Sequence, residues 1–233
     1  MNVRKPSAFV TGITQGIGHA LATALLQDGW IVWGTSRKSF DETASLIDSR
    51  LHDGLRPLRL ELTDLDACAA LGEHVDGPLD VLINSAASFG NMAFRADDFS
   101  PTAFLETLSI NVVAPTAIAR ALKSRLAEGD RRLIVMMSTG NASLSGNKTG
   151  GMLSYRASKS ALNQVVRTLA AEWGDTGFTT VALNPGWVRT AMGGQNAPLT
   201  PLTAAHNIVS FIRTAGPSLN GAFVNTDGTA LPW

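Results

Sequence analysis

Short, almost continuously apolar runs alternate along the chain with longer segments in which apolar residues recur at helical spacing. The runs show too little alternation with polar residues for strands exposed on one face, so they predict parallel strands covered by helices on both sides. The predicted strands are Ala8–Thr11, Trp30–Thr35, Leu58–Leu62, Val81–Ile83, Leu133–Met137, Thr179–Leu183 and Ala222–Val224. The predicted helices include Ile17–Gln27, Asp66–His74, Thr102–Ala127 and Ser154–Trp173, with a short helix in the polar segment Ser39–Arg56. This alternation predicts an α/β fold, a Rossmann-type doubly wound sheet of about seven mostly parallel strands with helices on both faces.

No linker, charge run or internal repeat interrupts the pattern, so residues 1–233 are interpreted as one domain. Hydrophobic residues make up 45% of the 233 positions and charged residues only 16%, below the ~25% of typical globular chains. This composition excludes a disordered chain. The 19 basic and 19 acidic side chains give no net charge, so neither nucleic acid nor an anionic membrane is an expected partner.

Targeting and metal signals are weak. Residues 6–27 carry no charged side chain, but glycine, glutamine and hydroxyl residues interrupt them before the ~7–15-residue apolar core of a signal peptide forms. No other stretch approaches the ~20 apolar residues of a membrane span. The single cysteine, Cys68, excludes a disulfide framework, and the four histidines lack metal-ligand spacing. We therefore expect a soluble, cytoplasmic protein without a metal site.

A glycine-rich turn follows the first predicted strand and opens the first predicted helix. Gly12, Gly16 and Gly18 lie in a GxxxGxG spacing, and Thr14 and Gln15 fall within the turn. Glycines let the backbone approach a pyrophosphate, and the helix N-terminus presents unpaired N–H groups to it. The pattern predicts a dinucleotide site, although a tight turn without a ligand would have the same glycines.

The end of the second predicted strand indicates which dinucleotide is bound. In such folds an acidic residue about 20 positions after the glycines accepts hydrogen bonds from the 2′-hydroxyl of NAD, whereas a basic residue accommodates the 2′-phosphate of NADP. Here Arg37 lies 19 residues after Gly18, and no acidic residue precedes Asp41. A solvated basic loop is the alternative, but the sequence favours NADP(H) over NAD(H).

The longest predicted helix carries a possible acid–base pair. Tyr155, the single tyrosine of the chain, and Lys159 are spaced i, i+4 and therefore share one helix face. A phenol has a pKa near 10. A nearby ammonium is expected to lower it and to let Tyr155 exchange protons near neutrality. A chance Tyr-xxx-Lys pair is the alternative.

These motifs together resemble one family, the short-chain dehydrogenases/reductases. The resemblance covers nearly the whole chain, and GNKTGGMLSYRASKSALN, NPGWVRTAMGG and DGTALPW are similar to the branch containing C-factor and the sniffer-type carbonyl reductases. The motifs follow the family order as Thr11-Gly12-xxx-Gly16-Ile17-Gly18, Asn84-Ser85-Ala86-Ala87, Asn111, Ser138-Thr139, Tyr155-xxx-Lys159 and Pro185-Gly186.

The resemblance implies an NADP(H)-dependent oxidoreductase and assigns roles to individual residues. Tyr155 would protonate the carbonyl oxygen, Lys159 would hold the nicotinamide ribose and lower the pKa of Tyr155, and Asn111 would fix a water for proton resupply. A backbone contact of Leu62 to adenine is implied as well. The further cofactor contacts implied are those of Ile17 in the turn, Asn84 and Ala86 after the fourth strand, and Pro185, Gly186, Val188 and Thr190 over the nicotinamide.

Two positions depart from the family pattern. Ala87 stands where the family has a glycine, which adds a methyl group beside the cofactor. The usual catalytic serine position, 13 residues before the tyrosine, is Ala142. In the longer loop of the resembled branch that role falls on Thr139 or its neighbour Ser138, with Ser143 a further alternative.

The substrate is predicted only as a class. Residues 192–202 are uncharged and are expected to form a mobile lid, which favours a small neutral carbonyl or alcohol substrate. The resemblance implies a homodimer or homotetramer. A cofactor-binding signalling or regulatory module with little turnover is the alternative function, although Tyr155, Lys159 and Asn111 together favour an enzyme.

Overall fold

A computed structural model of the protein describes residues 4–90 and 96–233. Its centre is a seven-stranded sheet in the order β3-β2-β1-β4-β5-β6-β7, in which every neighbouring pair is parallel. The strands are β1 Ser7–Thr11, β2 Ile31–Ser36, β3 Leu55–Arg59, β4 Val81–Asn84, β5 Leu133–Met137, β6 Thr179–Asn184 and β7 Phe223–Asn225. The predicted doubly wound α/β fold is confirmed.

Helices cover both faces of the sheet. The α-helices are α1 Gly16–Gln27, α2 Phe40–Ala44, α3 Leu65–Ala70, α4 Pro101–Leu108, α5 Ala114–Ala121, α6 Lys123–Ala127, α7 Leu153–Trp173 and α8 Pro201–Thr214. One buried cluster joins α1 and α8 to the sheet, and a second joins α3, α5 and α7 to the opposite face. Successive residues of β1 divide between them, since Val10 belongs to the first cluster and Phe9 to the second. Burial on both faces explains the continuously apolar strands.

Two predicted elements differ from the structure, and one helix lies outside the elements predicted above. The third strand is Leu55–Arg59 and not Leu58–Leu62, because an edge strand tolerates Pro57 and exposes alternate side chains. The predicted helix Thr102–Ala127 is divided by a π-helical turn, Ser109–Val113, and again at Leu122. Helix α8 lies where no helix was predicted. Cys68, predicted to be a buried helical residue, is buried in α3.

One helical run passes a length and composition test for crossing a membrane. Pro101–Ala121 has a mean hydropathy of 1.3 in its most apolar window, of which 33% is buried within the chain. Sequence analysis expected no stretch of this kind. The core helix of a soluble protein passes the same test, and here the run packs against α7.

Candidate active site

The carboxyl ends of the strands border a cleft of about 560 Å³. Such an edge, where parallel strands end and helices begin, is the usual ligand site of open α/β sheets. The predicted residues that line the cleft are Gly12, Thr14, Gln15, Gly16, Ile17, Gly18, Arg37, Leu62, Ala86, Ser138, Tyr155, Lys159, Pro185 and Thr190. The cleft therefore joins residues that lie far apart in the sequence.

The glycine-rich turn needs its glycines for space and for backbone conformation. Gly12 has φ +76° and Gly16 has φ +58°, in the left-handed region that glycine tolerates best. A Cβ on Gly18 would lie 2.2 Å from the carbonyl oxygen of Gly12. Gln15, the N-cap of α1, adopts an extended backbone and makes no side-chain cap hydrogen bond. The first N–H groups of α1 are thus not capped by that side chain and can donate hydrogen bonds to an anionic ligand.

Basic side chains surround the end of β2. Arg37 follows β2 directly and lines the cleft, and Ser36 is in register with Arg59 of β3. Hydrogen bonds from the backbone and side chain of Ser39 lower the pKa of Glu42, and the charges of Lys38 and Arg59 lower it further. Within the described ranges Arg37 makes no ion pair. A guanidinium that pairs with no carboxylate of the described residues is suited to a phosphate.

Tyr155 and Lys159 lie together in α7, and burial dominates the chemistry of both. Burial raises the pKa of Tyr155 to about 12, and the hydrogen-bonding interaction with Thr139 opposes that rise. Burial lowers the pKa of Lys159 to about 8. The Lys159 ammonium donates to the backbone oxygen of Met137 at 2.8 Å. The net shift of the Tyr155 pKa is therefore upward, opposite to the lowering that the sequence predicted, because desolvation of the phenol dominates.

The three candidate hydroxyls have different partners. Thr139 interacts with the Tyr155 phenol. Ser138 is buried and donates to Oδ1 of Asn163 at 2.6 Å. Ser143 donates to the backbone oxygen of Trp233 and accepts from the N–H of Gly146. Of the three, Thr139 is the one that interacts with the Tyr155 phenol, and Ser138 is the one that lines the cleft.

Asn111 lies in the π-helical turn, and its side chain bridges two segments. Oδ1 accepts from the N–H of Ser88 at 2.8 Å, and Nδ2 donates to the Ser88 oxygen at 2.8 Å and to Oγ of Ser158 at 2.9 Å. Both amide hydrogens are therefore used. Asn111 could therefore bind a water only through Oδ1, as an acceptor. Its direct contacts are with Ser88 and Ser158.

Asn84 is placed differently from its predicted role. Its buried side chain donates to the oxygen of Pro115 and to Sδ of Met136, at 3.4 and 3.2 Å. It belongs to the interior and does not line the cleft, whereas Ala86 does. The sequence could not show whether the Asn84 side chain faces the cleft or the interior, because every residue of β4 is buried.

Gly186 and Val188 support a loop beside the cleft. A Cβ on Gly186 would lie 2.7 Å from Cδ1 of Leu199, and Val188 forms a bridge with Leu199. The side chain of Arg189 donates to the oxygen of Ala197 at 3.2 Å. The expected lid is therefore tied to the preceding segment by hydrogen bonds, and its last residues begin α8.

Sequence reasoning missed several residues of the site. Arg189 lines the cleft, Phe89 stacks on Tyr155, and Ser158 hydrogen-bonds within the site. The i, i+3 spacing from Tyr155 could have indicated Ser158. No group of three His, Cys, Asp or Glu residues within 4–90 and 96–233 is arranged to hold a metal ion.

The site fits a dinucleotide. The glycine turn leaves space that a Cβ would fill, the N-terminus of α1 is directed to the same cleft, and Arg37 and Lys159 both line the cleft. These donors suit a pyrophosphate, a ribose phosphate and a ribose hydroxyl.

Comparison with known proteins agrees with this geometry. The profile of the family described as short chain dehydrogenase matches residues 6–198. C-signal of Myxococcus xanthus is 36% identical over 158 residues, 67% of this chain and 94% of C-signal. The carbonyl reductase Sniffer of D. melanogaster is 32% identical with a TM-score of 0.90, covering 99% of this chain and 100% of Sniffer. The NADPH-bound carbonyl reductase from chicken fatty liver is 27% identical with a TM-score of 0.87, covering 100% of this chain and 96% of that protein. With the glycine turn and the Tyr-Lys helix in place, the chain belongs to the short-chain dehydrogenase family and is one of its oxidoreductases, similar to Sniffer and C-signal.

Proposed function

We propose that the protein is an NADPH-dependent carbonyl reductase, also able to oxidise the corresponding alcohol, in which Tyr155 is the general acid. The observation that carries this proposal is a buried phenol that interacts with Thr139 and lines, together with Lys159, a cleft whose other lining residues suit a dinucleotide. Because burial keeps the phenol protonated, Tyr155 holds the proton that a carbonyl oxygen must receive.

Each side chain of the site has its own role in the proposed reduction. A nicotinamide cofactor, when bound, would supply the hydride. Tyr155 donates its Oη proton to the carbonyl oxygen. The Thr139 hydroxyl holds the same oxygen in place by hydrogen bonding. Lys159 binds the ribose, and its positive charge favours the phenolate that Tyr155 becomes after proton transfer.

The basic residues at the end of β2 support the phosphorylated cofactor. Arg37 binds the 2′-phosphate, and the exposed Lys38 and Arg59 add positive charge around it. We expect Arg37→Asp to shift preference toward NADH, because a carboxylate repels the phosphate and accepts from the 2′-hydroxyl. Unchanged NADPH affinity in direct titration would contradict this assignment.

The substrate we propose is a neutral, apolar carbonyl compound. Large apolar side chains are exposed in the segments that follow β5 and β6, the strands whose ends border the cleft beside Tyr155. These side chains are Leu144, Leu153, Trp187, Met192 and Leu202. Exposed apolar groups of this kind gain free energy when an apolar ligand covers them.

The decisive experiment is NADPH consumption across aldehydes, ketones and quinones, with Tyr155→Phe as the control variant. We expect turnover in the wild type, loss of turnover in the variant and similar NADPH binding in both. Turnover that persists in Tyr155→Phe would contradict the role of Tyr155. Tight NADPH binding without any consumption would favour a regulatory function, as the similarity to C-signal suggests.

We also propose that the protein is a homodimer or homotetramer in which a second copy covers the helical run 101–121. Leu105 is 68% exposed and Val113 45% exposed on this run. We expect Leu105→Glu to shift the sedimentation coefficient toward that of the 24.6 kDa chain. A wild type that sediments as a monomer would contradict the proposal.

A further inference from the structure

The catalytic tyrosine is covered by an aromatic ring from another segment. The rings of Phe89 and Tyr155 are stacked, with centroids 4.7 Å apart and an interplanar angle of 25°. Phe89 comes from the segment after β4, whereas Tyr155 lies in the first turns of α7. Stacking at this distance keeps water from one face of the phenol ring.

Asn111 holds both partners of this stack. Its amide exchanges two hydrogen bonds, each of 2.8 Å, with the backbone of Ser88, the residue before Phe89. Its remaining hydrogen is donated to Ser158, whose hydroxyl donates in turn to the backbone oxygen of Tyr155 at 2.8 Å. One side chain thus reaches the Phe89 segment and the Tyr155 backbone simultaneously.

The next residue fixes the direction of the Phe89 segment. Gly90 has φ +75°, and a Cβ there would lie 2.7 Å from Oγ1 of Thr107 in α4. Thr107 is fully buried and donates to the oxygen of Ala103. The backbone is therefore constrained on both sides of Phe89, by Asn111 at Ser88 and by α4 at Gly90.

We propose that Phe89 is a positioning residue of the reductase, which Asn111 holds through Ser88 against the Tyr155 ring so that the phenol stays shielded and directed at Thr139. The catalytic role in this inference rests on the proposed function. The stacking of Phe89 on Tyr155 does not depend on it. Asn111 then acts on Tyr155 through side-chain contacts to two segments.

The single tyrosine of the chain allows a test that needs neither cofactor nor substrate. Phenolate absorbance in the near ultraviolet reports the ionisation of Tyr155 alone. Burial raises the pKa of Tyr155 to about 12, so the wild type should show little phenolate at about pH 10 to 11. Circular dichroism at each pH confirms that the protein remains folded.

Substitutions at Phe89 test whether shielding of Tyr155 needs an aromatic ring or only an apolar side chain. We expect Phe89→Ala and Phe89→Leu to move the titration toward the ordinary value near 10, because water reaches the exposed phenol face. Phe89→Tyr is unsuitable here because it adds a second phenol, so Phe89→Trp is the variant expected to restore the wild-type titration. Phe99→Leu is the matched control, since Phe99 pairs with Phe104 away from Tyr155. Identical titrations of the wild type and Phe89→Ala would overturn the inference.

A double-mutant cycle tests the role of Asn111. Phe89→Ala should lower kcat roughly tenfold with little change in KM for NADPH, because a misplaced acid slows the chemical step. Asn111→Asp loses both donated hydrogen bonds and should have a similar effect. The double variant should be much less impaired than the product of the two single effects. If the two effects on kcat simply multiply in the double variant, the coupling through Asn111 is overturned. If Asn111→Asp proves unstable, the titration of Phe89→Ala still tests the placement of Phe89.

The two assays distinguish the inference from the proposed function. If Phe89→Ala lowers the phenol titration while no carbonyl compound is reduced by the wild type, the positioning of Tyr155 is supported and the reductase assignment fails. If the wild type reduces carbonyls and Phe89→Ala changes neither kcat nor the titration, the reductase assignment is supported and the inference fails.

Discussion

Two ionisable side chains one helical turn apart are both shifted by burial toward their neutral forms. Tyr155 is 9% exposed and Lys159 is 2% exposed. In the protein without cofactor, the lysine charge faces a backbone oxygen and the tyrosine faces a hydroxyl. The i, i+4 spacing could be read from the sequence, but the depth of burial could not, because it depends on Phe89 and on loops far from α7.

Lysine burial makes the stability of the cofactor-free protein depend on pH. The pKa of Lys159 falls from 10.5 to about 8 on folding, so between those values the unfolded chain binds more protons and stability rises with pH. The difference corresponds to about 3 kcal/mol in the free energy of unfolding. We expect urea unfolding between about pH 8 and 10 to show this rise in the wild type and a flatter profile in Lys159→Met. Tyr155 acts in the opposite direction above about pH 10, because its pKa is raised, so the measurement stops there. Parallel profiles of the two proteins would contradict the buried ammonium.

Replacement of the neighbouring hydroxyls should separate catalysis from packing. Thr139→Ala removes the hydroxyl that interacts with Tyr155, and we expect kcat to fall by about 10²- to 10³-fold with unchanged NADPH affinity. Thr139→Ser should retain most of the activity. Ser138→Ala breaks the hydrogen bond to Asn163 and should mainly lower thermal stability. A larger loss of kcat in Ser138→Ala than in Thr139→Ala would assign the role to Ser138.

At the scale of elements, the loop after β6 is attached to the cleft at its start and to α8 at its end. Arg189 donates to Ala197 across the loop, while Thr190 lies against the glycine turn, its Cγ2 3.3 Å from the position of a Cβ on Gly16. We expect Arg189→Met to raise KM for NADPH by about 3- to 10-fold, because loosening the loop removes ordered cofactor contacts. Arg131→Met is the control, since Arg131 also donates to a carbonyl, that of Ile212, outside the cleft lining. Equal KM values for both variants would show that the Arg189 contact does not order the site.

The elements that sequence analysis placed correctly are those buried on both faces. Strands β1, β4 and β5 lie at the centre of the sheet, and their apolar runs are unbroken. Edge strand β3 contains Pro57 and alternating exposed residues. The apolar run that predicted it therefore begins at Leu58, after the start of the strand at Leu55. The π-helical turn leaves no mark in apolar spacing, and it places the Asn111 side chain between Ser88 and Ser158 of α7. Tertiary contacts determine these features, and a single-sequence pattern does not record them.

At the scale of the whole molecule, one end of the sheet carries the cleft and the other carries contacts that stabilise the fold. The cleft occupies the carboxyl ends of the strands, while a buried carboxylate, Asp80, lies at the amino end of β4. Asp80 accepts two hydrogen bonds from Arg4 and one each from the backbone N–H groups of Ser7 and Asp130. These contacts join the residues before β1, the start of β4 and the turn before β5, which are distant in sequence.

Asp80 should therefore govern stability without affecting catalysis. Burial alone would raise its pKa, but the hydrogen bonds from Arg4, Ser7 and Asp130 outweigh burial and lower it. The stabilisation is present above the ordinary carboxyl pKa and is lost as pH falls through the lowered value. We expect Asp80→Asn to reduce the free energy of unfolding by about 2–4 kcal/mol at neutral pH and to weaken its dependence on acid, with kcat unchanged.

The neighbouring carboxylate provides the control for this prediction. Asp130 also contacts Arg4, but its side chain is 86% exposed, so Asp130→Asn should cost less than about 1 kcal/mol. Because the Asp130 backbone N–H still donates to Asp80 in that variant, the comparison isolates the buried charge. Urea unfolding measures both variants, and a loss in Asp130→Asn equal to that in Asp80→Asn would show that surface charge around Arg4, and not the buried carboxylate, stabilises this end of the sheet.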